Sequence, residues 1–407
     1  MSVPEQAAAA AAAGARLLLV VNDGDGRLQP WENSPWLPAD PPPLTVATLT
    51  HDEGERLIAR TTGDARTRLS VTSHPVTEYV YDLAHDYRGA VPADLVHRTD
   101  RRELARVDIS FRNYRAGRAL ENRDDVTPAG GSALNPSDAP AQGDRTDWVT
   151  AGEPWSDRAQ IPAEQQQYAP AVTYRAGSAA RVSWFGPVQR PRLIDGNAPV
   201  RQDDKLYVSV PGWGESGTDH LGGTYGNFDV DNQVRLYQGD RLVREMGRYQ
   251  LSMTVSGLSP APLPYRLVSE NSRDAWNVPY STATRTEWGF TSRAGATGEQ
   301  AQLPLIQLDY GIATDASGRA GRHAELAVTA SHLAGSTGTA AVDEAGLEVS
   351  YDDGVTWHRA ALRHSGTTWR TRLDAPRAAR FVSLRVNARD ARGNSVRQSV
   401  VRAFGLT

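Results

Sequence analysis

The chain has 407 residues, a formal net charge of −4 at pH 7 and no cysteine. Its length is sufficient for several domains, each with a core of its own. The lack of cysteine excludes disulfides and thiolate metal sites, and no apolar run approaches the ~20 residues of a membrane-spanning helix. A negative charge without a basic block argues against nucleic-acid binding.

Residues 1–73 change from a helical to an extended pattern and back, and we expect a small α+β unit there. In chain order the pattern predicts a helix at Ala7–Ala13, strands at Leu17–Val21 and Leu44–Leu49, a helix at Asp52–Arg60 and a strand at Arg66–Val71. Thr50 and Glu53 have the spacing of a capping box, which predicts where the second helix begins.

The segment Leu17–Val21 is apolar on both faces, as a central strand covered on both sides would be. Six residues precede the alanine run Ala7–Ala13. They form no positively charged segment, so we interpret the run as a domain helix and not as a signal peptide. We therefore expect that the complete protein has further sequence upstream, and that an edge or face around Leu17–Val21 is open.

From residue 74 onward the chain alternates between short strands and turns, with almost no helical pattern. Strands separated by turns at intervals of about 8–12 residues are typical of β-sandwiches of the immunoglobulin or fibronectin type. We predict three such sandwiches in tandem, at residues 74–165, 166–302 and 303–407. Residues 121–145 are rich in Gly, Pro, Ser and Asp and are predicted to form a long loop or a disordered insertion. The predicted fold class is therefore mainly β.

Residues 350–357 read S-Y-D-D-G-V-T-W and match the Asp-box pattern S-x-D-x-G-x-T-W. In such a hairpin Asp352 accepts hydrogen bonds from main-chain amides, Gly354 adopts a positive φ and Trp357 packs beneath the turn. Sialidases repeat this box along a propeller, but here it occurs once. We therefore interpret Ser350, Asp352, Gly354 and Trp357 as a structural turn.

Residues 212–220 read G-W-G-E-S-G-T-D-H and place Ser216 among glycines, as in the nucleophile elbow of a serine hydrolase. The G-x-S-x-G pattern would need glycine at position 218, where threonine stands, and a strand-to-helix turn that the sequence does not predict. We expect a glycine-rich loop between strands and assign no catalytic residue.

The nine histidines show no H-x-H or H-E-x-x-H spacing, so a zinc site is not predicted. Asp219, Asp229 and Asp231 carry oxygen atoms that suit calcium, but the segment lacks the glycine of an EF-hand loop. Surface turns explain these acids better. We predict no cofactor, with a structural calcium ion as the alternative.

Several of the ten tryptophans lie in predicted loops, namely Trp31, Trp36, Trp155 and Trp213. Exposed indole rings stack on sugars or on extended peptides. Packing in a core or between domains is the favoured interpretation of these residues, and an exposed binding platform is the alternative.

Two stretches of the first unit, AGARLLLVVNDGDGRLQPW and PPLTVATLTHDEGERLIARTTGDARTRLSV, resemble the C-terminal half of a protease-associated domain. Large secreted subtilisin-like serine proteases of the S8 family in actinobacteria carry such domains. The ending RFVSLRVNARDARGNSVRQSVVRAFGLT is similar to the β-rich C-terminal region of the same enzymes. The resemblance implies an extracellular protein whose partner is a protein or peptide substrate, or an upstream protease domain.

The sequence blocks that carry the Ser-His-Asp triad of subtilisins do not occur in the chain. Ser252-Met253 follows Gln250-Leu251 inside an alternating strand, so it is not the nucleophile of that family. We therefore predict a non-catalytic accessory region with interaction and spacer roles. A stand-alone carbohydrate-binding or adhesive β-sandwich protein, with a polysaccharide as its partner, is the alternative.

Overall fold

The structure is a computed structural model that describes residues 2–25, 43–63, 68–72, 77–87, 89–126, 137–161, 164–194, 196–216, 220–223, 230–247, 252–274 and 278–407. The chain consists of two compact units, Met1–Pro75 and Val76–Thr407. It is mainly β, as the sequence predicts.

The described part of Met1–Pro75 contains the elements α1 (Val3–Ala12), β1 (Leu17–Val21), β2 (Thr45–Leu49) and α2 (His51–Gly63). The two strands pair in parallel, from Leu17 beside Thr45 to Val21 beside Leu49. Because parallel strands cannot be joined by a tight hairpin, the connection between them is long. Residues 22–44 supply it.

The capping box predicted at Thr50 and Glu53 is present at the start of α2. The Thr50 amide donates to Glu53 Oε2 over 3.2 Å, and the Glu53 amide donates to Thr50 Oγ1 over 3.4 Å. Gly54, the next residue, lies against β1, where an added Cβ atom would come within 2.1 Å of Val21. The glycine therefore lets the helix pack directly on the strand.

Two predictions for this unit need correction. Helix α1 begins at Val3, earlier than predicted, because Ser2 caps it: the Glu5 amide donates to the Ser2 hydroxyl and the Ser2 amide donates to the Glu5 carboxylate. The strand predicted at Arg66–Val71 does not form in the described residues 68–72, and residues 64–67 lie outside the described part.

The unit Val76–Thr407 contains strands and one short 3₁₀ helix, Arg101–Glu103, in the residues that the structure describes. Its first strands are β3 (Tyr79–Asp82), β4 (Leu104–Phe111), β5 (Arg118–Asp125), β6 (Ser137–Pro140), β7 (Gly143–Thr150), β8 (Pro154–Ile161), β9 (Gln165–Tyr168), β10 (Val172–Thr173), β11 (Ala179–Trp184), β12 (Val200–Gln202), β13 (Lys205–Ser209) and β14 (Leu221–Gly223). The later strands are β15 (Val230–Gln238), β16 (Arg241–Met246), β17 (Ser252–Val255), β18 (Leu263–Arg273), β19 (Ala283–Ser292), β20 (Gln300–Gln302), β21 (Ile306–Ile312), β22 (Arg319–Ala320), β23 (Glu325–His332), β24 (Val342–Ser350), β25 (His358–Arg359), β26 (Arg363–Ser365), β27 (Thr368–Arg372), β28 (Phe381–Asp390) and β29 (Ser395–Leu406).

Two sheets form the first sandwich. One has the strand order β11-β4-β7-β3, and the other has the order β14-β9-β8-β5-β6 with β10 beside β8. Val107, Ile109 and Phe111 of the first sheet and Ala119 and Ala159 of the second belong to one apolar core. Alternate residues of each strand point into this core, as the pleat of a β-strand requires.

A nine-stranded sheet is the common wall of the other two sandwiches. Its order is β16-β15-β18-β19-β29-β28-β24-β25, with β22 beside β29. The sheet β17-β13-β12-β20 and the sheet β21-β23-β27-β26 share one continuous apolar core with it. Hydrogen bonds also cross this core. Trp288 Nε1 donates to the Ile306 carbonyl over 2.9 Å, and the Tyr310 hydroxyl donates to Gln398 over 2.8 Å.

Strand pairing crosses two of the predicted domain boundaries. Strand β11, which the sequence assigns to the second sandwich, pairs in parallel with β4 of the first. Strands β19 and β29, assigned to different sandwiches, pair along residues 283–289 and 395–401. The boundaries after residues 165 and 302 therefore do not separate independent sheets. Sequence patterning marks strands but does not specify their partners.

The loop predicted at residues 121–145 is wrong at both of its ends. Residues up to Asp125 belong to β5, and β6 and β7 begin at Ser137 and Gly143, while residues 127–136 lie outside the described part. The inward positions of β5 and β7 carry charged side chains. An apolar pattern of period 2 is therefore missing although the strands are present.

We predict that the amides of Leu18–Val20 exchange with solvent faster than those of Val382–Val386. Among the described strands β1 pairs only with β2 and is mostly half-buried, whereas β28 lies between β24 and β29. A strand with one partner opens at a lower cost in free energy. Hydrogen exchange followed by mass spectrometry measures both segments, and equal protection of the two would contradict this expectation.

Candidate functional site

A group of arginine and carboxylate side chains lies between the two sheets of the first sandwich. We call it the charged cluster, and its members are Asp82, Glu121, Arg123, Arg145, Asp147 and Asp157. They come from the strands β3, β5, β7 and β8. The side chain of Arg123 is 3% exposed and that of Asp147 is 0% exposed. Because water cannot solvate charges at this depth, they depend on one another for pairing.

Arg123 occupies the centre of the charged cluster. Its Nε and Nη2 atoms donate to the two carboxylate oxygens of Asp157 over 2.8 and 3.1 Å. Its Nη1 atom donates to Asp147 over 2.8 Å and also to Asp82. A planar guanidinium presents these donors in fixed directions, which the single ammonium of lysine cannot do.

Arg145 forms the second half of the charged cluster. Its Nε and Nη2 atoms each donate to Asp147 over 2.7 Å, and Nη2 also donates to Glu121. Its guanidinium carbon lies 5.4 Å from the centre of the Phe111 ring, within the range of a cation–π contact. Asp147 is therefore shared by both arginines and connects the two halves.

The charged cluster contains four carboxyl groups against two guanidinium groups. Burial raises the pKa of Glu121 to about 7, with Arg145 and Arg123 opposing the shift and Asp147 and Asp157 adding to it. Glu121 Oε1 has no hydrogen-bond partner among the described residues. Glu121 therefore takes up a proton more readily than a glutamate on the surface.

A cavity of about 330 Å³ lies beside the charged cluster and is lined by residues of β8, β10 and β11. We call it the Trp155 cavity. Trp155 and Tyr174 supply aromatic surface, and Asp157, Arg181 and His220 supply polar groups. Trp155 Nε1 donates to the Thr150 carbonyl over 2.9 Å, which fixes the indole ring. Aromatic walls with a few polar groups are typical of small-ligand sites of this size.

Asp157 connects the Trp155 cavity with the charged cluster. Its carboxylate lines the cavity and accepts both hydrogen bonds of the Arg123 fork. Burial, together with the negative charge of Asp157, raises the pKa of Tyr174 to about 12. The Tyr174 phenol therefore keeps its proton at neutral pH, so it is both a hydrogen-bond donor and an acceptor.

His220 forms another wall of the Trp155 cavity, at the end of the glycine-rich segment 212–220. Its Nδ1 atom lies 2.9 Å from Glu215 Oε1. The imidazole stacks on Trp184 with the ring centres 3.8 Å apart. Glu215 also accepts the Gly186 amide over 3.0 Å. These contacts fix the orientation of the imidazole ring.

Ser216 is buried, and its hydroxyl donates to the Val188 carbonyl over 3.1 Å. The strand β14 begins at Leu221, where a nucleophile elbow would continue into a helix. Residues 217–219 lie outside the described part. The serine hydroxyl is therefore directed at the main chain, while His220 Nδ1 is paired with Glu215.

The four tryptophans proposed as binding aromatics have different outcomes. Trp31 and Trp36 lie outside the described residues. Trp155 lines the cavity named after it and is 5% exposed. Trp213 is 1% exposed, and the guanidinium carbon of Arg273 lies 4.3 Å from its ring centre. An exposed platform is therefore wrong for Trp213, because the fold buries the indole and Arg273 covers one face.

The Asp-box segment forms the turn between β24 and β25. Ser350 Oγ accepts the Gly354 amide over 2.9 Å, and Asp352 accepts the amide and hydroxyl of Thr356 over 2.9 and 2.6 Å. Trp357 Nε1 donates to the Gly354 carbonyl over 2.9 Å, and Gly354 has a φ of +88°. Hydrogen bonds from Thr356 and Ser350 lower the pKa of Asp352 to about 2. All of these groups serve the turn itself.

The described residues contain no group of three or more His, Cys, Asp or Glu side chains arranged to hold a metal ion. In the same part of the chain no helix has the length and apolar character needed to cross a membrane. Asp231 is exposed on β15, whereas Asp219 and Asp229 lie outside the described residues. The calcium hypothesis for these three acids therefore stays a prediction.

Sequence reasoning missed the charged cluster and the residues Asp157, Tyr174 and His220 of the Trp155 cavity. A signal for the cluster was present, because Glu121-Asn-Arg123 and Arg145-Thr-Asp147 each place opposite charges two residues apart. That spacing puts both charges on one face of a strand. Nothing in the sequence relates β8 to β11, so the cavity could not be inferred.

No protein-family model matches the chain, and none of the curated proteins matches it significantly. Among solved structures, the FN1-FN3 domains of chicken CNTN1 are 10% identical, with a TM-score of 0.16 over 70% of this chain and 89% of that chain. Escherichia coli alpha-2-macroglobulin activated by porcine elastase is 13% identical, with a TM-score of 0.17 over 75% of this chain and 28% of that chain. Likeness at this level supports no inference, and the β-sandwich architecture is established by the sheets themselves.

We predict that Asp352→Ala lowers the Tm of the unit Val76–Thr407, because the amide and hydroxyl of Thr356 lose their acceptor. Differential scanning calorimetry of the full chain measures the change. Asp343→Ala, at an exposed position of β24, is the matched control and should leave the Tm unchanged. An unchanged Tm in Asp352→Ala would refute the interpretation as a structural turn.

We predict that wild-type stability falls between pH 5 and pH 7.5 and that Glu121→Gln reduces this fall. The pKa of Glu121 rises from an ordinary value of 4.5 to about 7 on folding. In that window the folded chain holds the proton more firmly than the unfolded chain, so the free energy of unfolding decreases as pH rises, by on the order of 1–3 kcal/mol. Glutamine cannot ionise.

Urea denaturation at the two pH values measures this difference. Glu78→Gln, an exposed position of the same sandwich, is the matched control and should keep the wild-type pH dependence. If Glu121→Gln also keeps the wild-type pH dependence of stability, the expectation of a raised pKa for Glu121 is wrong.

Proposed function

We propose that the chain is a non-catalytic interaction and spacer region. One observation carries the proposal: the serine and histidine that most resemble a hydrolase site both have structural hydrogen-bond or ion-pair partners. Ser216 donates to the Val188 carbonyl, and His220 Nδ1 is paired with Glu215. A nucleophilic serine needs a base within hydrogen-bond reach of its hydroxyl, and here that hydroxyl serves the main chain.

We further propose that this region is the C-terminal accessory part of a secreted subtilisin-like serine protease, acting outside the cell. This part of the proposal is supported by the sequence resemblance of the first unit and of the C-terminal ending. Its partner would be a protein or peptide substrate, or the protease domain itself.

The nine-stranded sheet supports the spacer role. Because β19 and β29 pair directly, the second and third sandwiches share a wall and an apolar core. Modules joined by flexible linkers move independently, whereas modules with a large shared apolar core hold one relative orientation. Such a body suits a spacer of fixed geometry.

The Trp155 cavity supports the interaction role. Its volume of about 330 Å³ is at the lower end of the range for ligand sites, which suits one side chain of a peptide or one sugar ring. Carbohydrate binding is therefore the second candidate function. Flat faces of Trp155 and Tyr174 suit the apolar face of a sugar, and the Asp157 carboxylate suits its hydroxyl groups.

We predict that the purified full chain does not hydrolyse casein, and that Ser216→Ala and wild type give the same background rate. Release of acid-soluble peptides measures hydrolysis, and Ser252→Ala, at an exposed position of β17, is the matched control. Hydrolysis that a serine-directed phosphonate inhibits, and that Ser216→Ala but not Ser252→Ala abolishes, would overturn the non-catalytic proposal.

A further inference from the structure

A second cavity, of about 300 Å³, is lined by three arginines and no acidic side chain. We call it the arginine cavity. Arg319, Arg322 and Arg380 supply its charge, and Tyr280 and Phe381 supply aromatic walls. The whole chain has a net charge of −4, so this concentration of positive charge is local. Like charges around one cavity repel each other, and an anion that enters relieves the repulsion.

Arg322 is positioned by groups that do not neutralise its charge. Arg322 Nη1 donates to the main-chain carbonyls of Pro376 and Ala379. Arg380 is exposed, and its own carbonyl accepts the Leu406 amide over 2.9 Å. Neither guanidinium forms an ion pair with a carboxylate among the described residues. No salt bridge to a described residue therefore compensates these two charges.

Three acidic side chains lie close in sequence to these arginines, namely Asp315, Glu325 and Asp374. Glu325 lies 3.5 Å from Arg370 Nε, and Asp374 lies 2.9 Å from His323 Nδ1. Asp315 accepts the amides of Ser317 and Arg319 over 2.9 Å each. The guanidinium of Arg402 donates to both oxygens of Asp353, over 2.9 and 2.6 Å. These carboxylates are engaged in turns and surface pairs. The negative charge of Asp315 also acts on Arg319, so Arg322 and Arg380 are the cavity arginines without a carboxylate partner among the described residues.

The aromatic walls of the arginine cavity are held by contacts of their own. The rings of Tyr280 and Phe381 meet edge to face with their centres 6.2 Å apart. The Tyr280 hydroxyl donates to the Ser317 carbonyl over 2.7 Å, which holds the ring in place. Tyr114 adds a third aromatic ring to the lining. Apolar ring surface therefore lies next to the guanidinium groups.

We propose that the arginine cavity binds a tetrahedral oxyanion, a phosphate or sulfate group, carried by a ligand whose ring packs on Tyr280 and Phe381. Guanidinium groups present parallel N–H donors that match two oxygens of such an anion. Two or more arginines around one group stabilise a charge of −2 better than a single cation does. This site is separate from the Trp155 cavity and does not depend on the function proposed for the chain.

Isothermal titration calorimetry of the full chain at low ionic strength tests the proposal, with sodium phosphate and sodium sulfate as separate ligands. We expect saturable binding of one anion per chain, and Arg380→Gln should weaken it about tenfold, as the loss of one charge-assisted contact does. Arg377→Gln, an exposed position three residues earlier, is the matched control and should bind like wild type.

Arg380→Gln and Arg377→Gln should share the wild-type Tm, because both side chains are exposed. The site is supported if wild type binds an anion saturably and Arg380→Gln weakens that binding. The anion with the higher affinity, phosphate or sulfate, identifies the group that the site prefers. Undetectable binding, or equal weakening by the two variants, overturns it.

Phenyl phosphate tests the aromatic walls. It should bind more tightly than inorganic phosphate, and Phe381→Leu should remove that gain while leaving the affinity for inorganic phosphate unchanged. Equal affinities for phenyl phosphate and inorganic phosphate in the wild type would overturn the assignment of a ring-bearing ligand.

Discussion

The pairing of β19 with β29 determines how the unit Val76–Thr407 is built. Residues 283–289 bond with residues 395–401, so strands far apart in the sequence lie side by side in the nine-stranded sheet. The other strands of that sheet extend outward from this pair. Closing so long a loop costs conformational entropy, and the burial of apolar side chains on both strands, such as Trp288, Val396 and Val400, offsets it.

In the first sandwich, ion pairs between buried side chains connect strands that are distant in the sequence. Arg123 and Arg145 bind carboxylates from neighbouring strands and from the facing sheet. A buried ion pair gives little net stability compared with apolar packing of the same volume, but it is costly to break. A shift of one residue in the register of β5 would turn Arg123 to the outer face and leave Asp157 unpaired. The charged cluster therefore selects one register.

Both cavities lie where segments distant in the sequence meet. Residues of β8, β10 and β11 line the Trp155 cavity together with His220, and the arginine cavity combines Tyr114 with Tyr280, Arg319 and Phe381. Concave sites commonly form at such junctions because neither packed element fills the space between them. The two sites differ in chemistry. Both have aromatic walls, but the Trp155 cavity contains the Asp157 carboxylate, whereas the arginine cavity contains three arginines and no acidic side chain.

The sequence by itself determined the elements whose cause is local. The capping box at Thr50, the apolar strand Leu17–Val21 and the Asp-box segment follow from residue types at short spacing, because their hydrogen bonds or packing lie within a few residues. The mainly β class follows from the same local patterns. Tertiary structure alone decided which strands pair, that this pairing crosses the boundaries predicted after residues 165 and 302, and that charged residues lie between the sheets of the first sandwich. These features depend on contacts between distant segments. An alternating pattern identifies a strand and its two faces but does not specify which strand pairs with it.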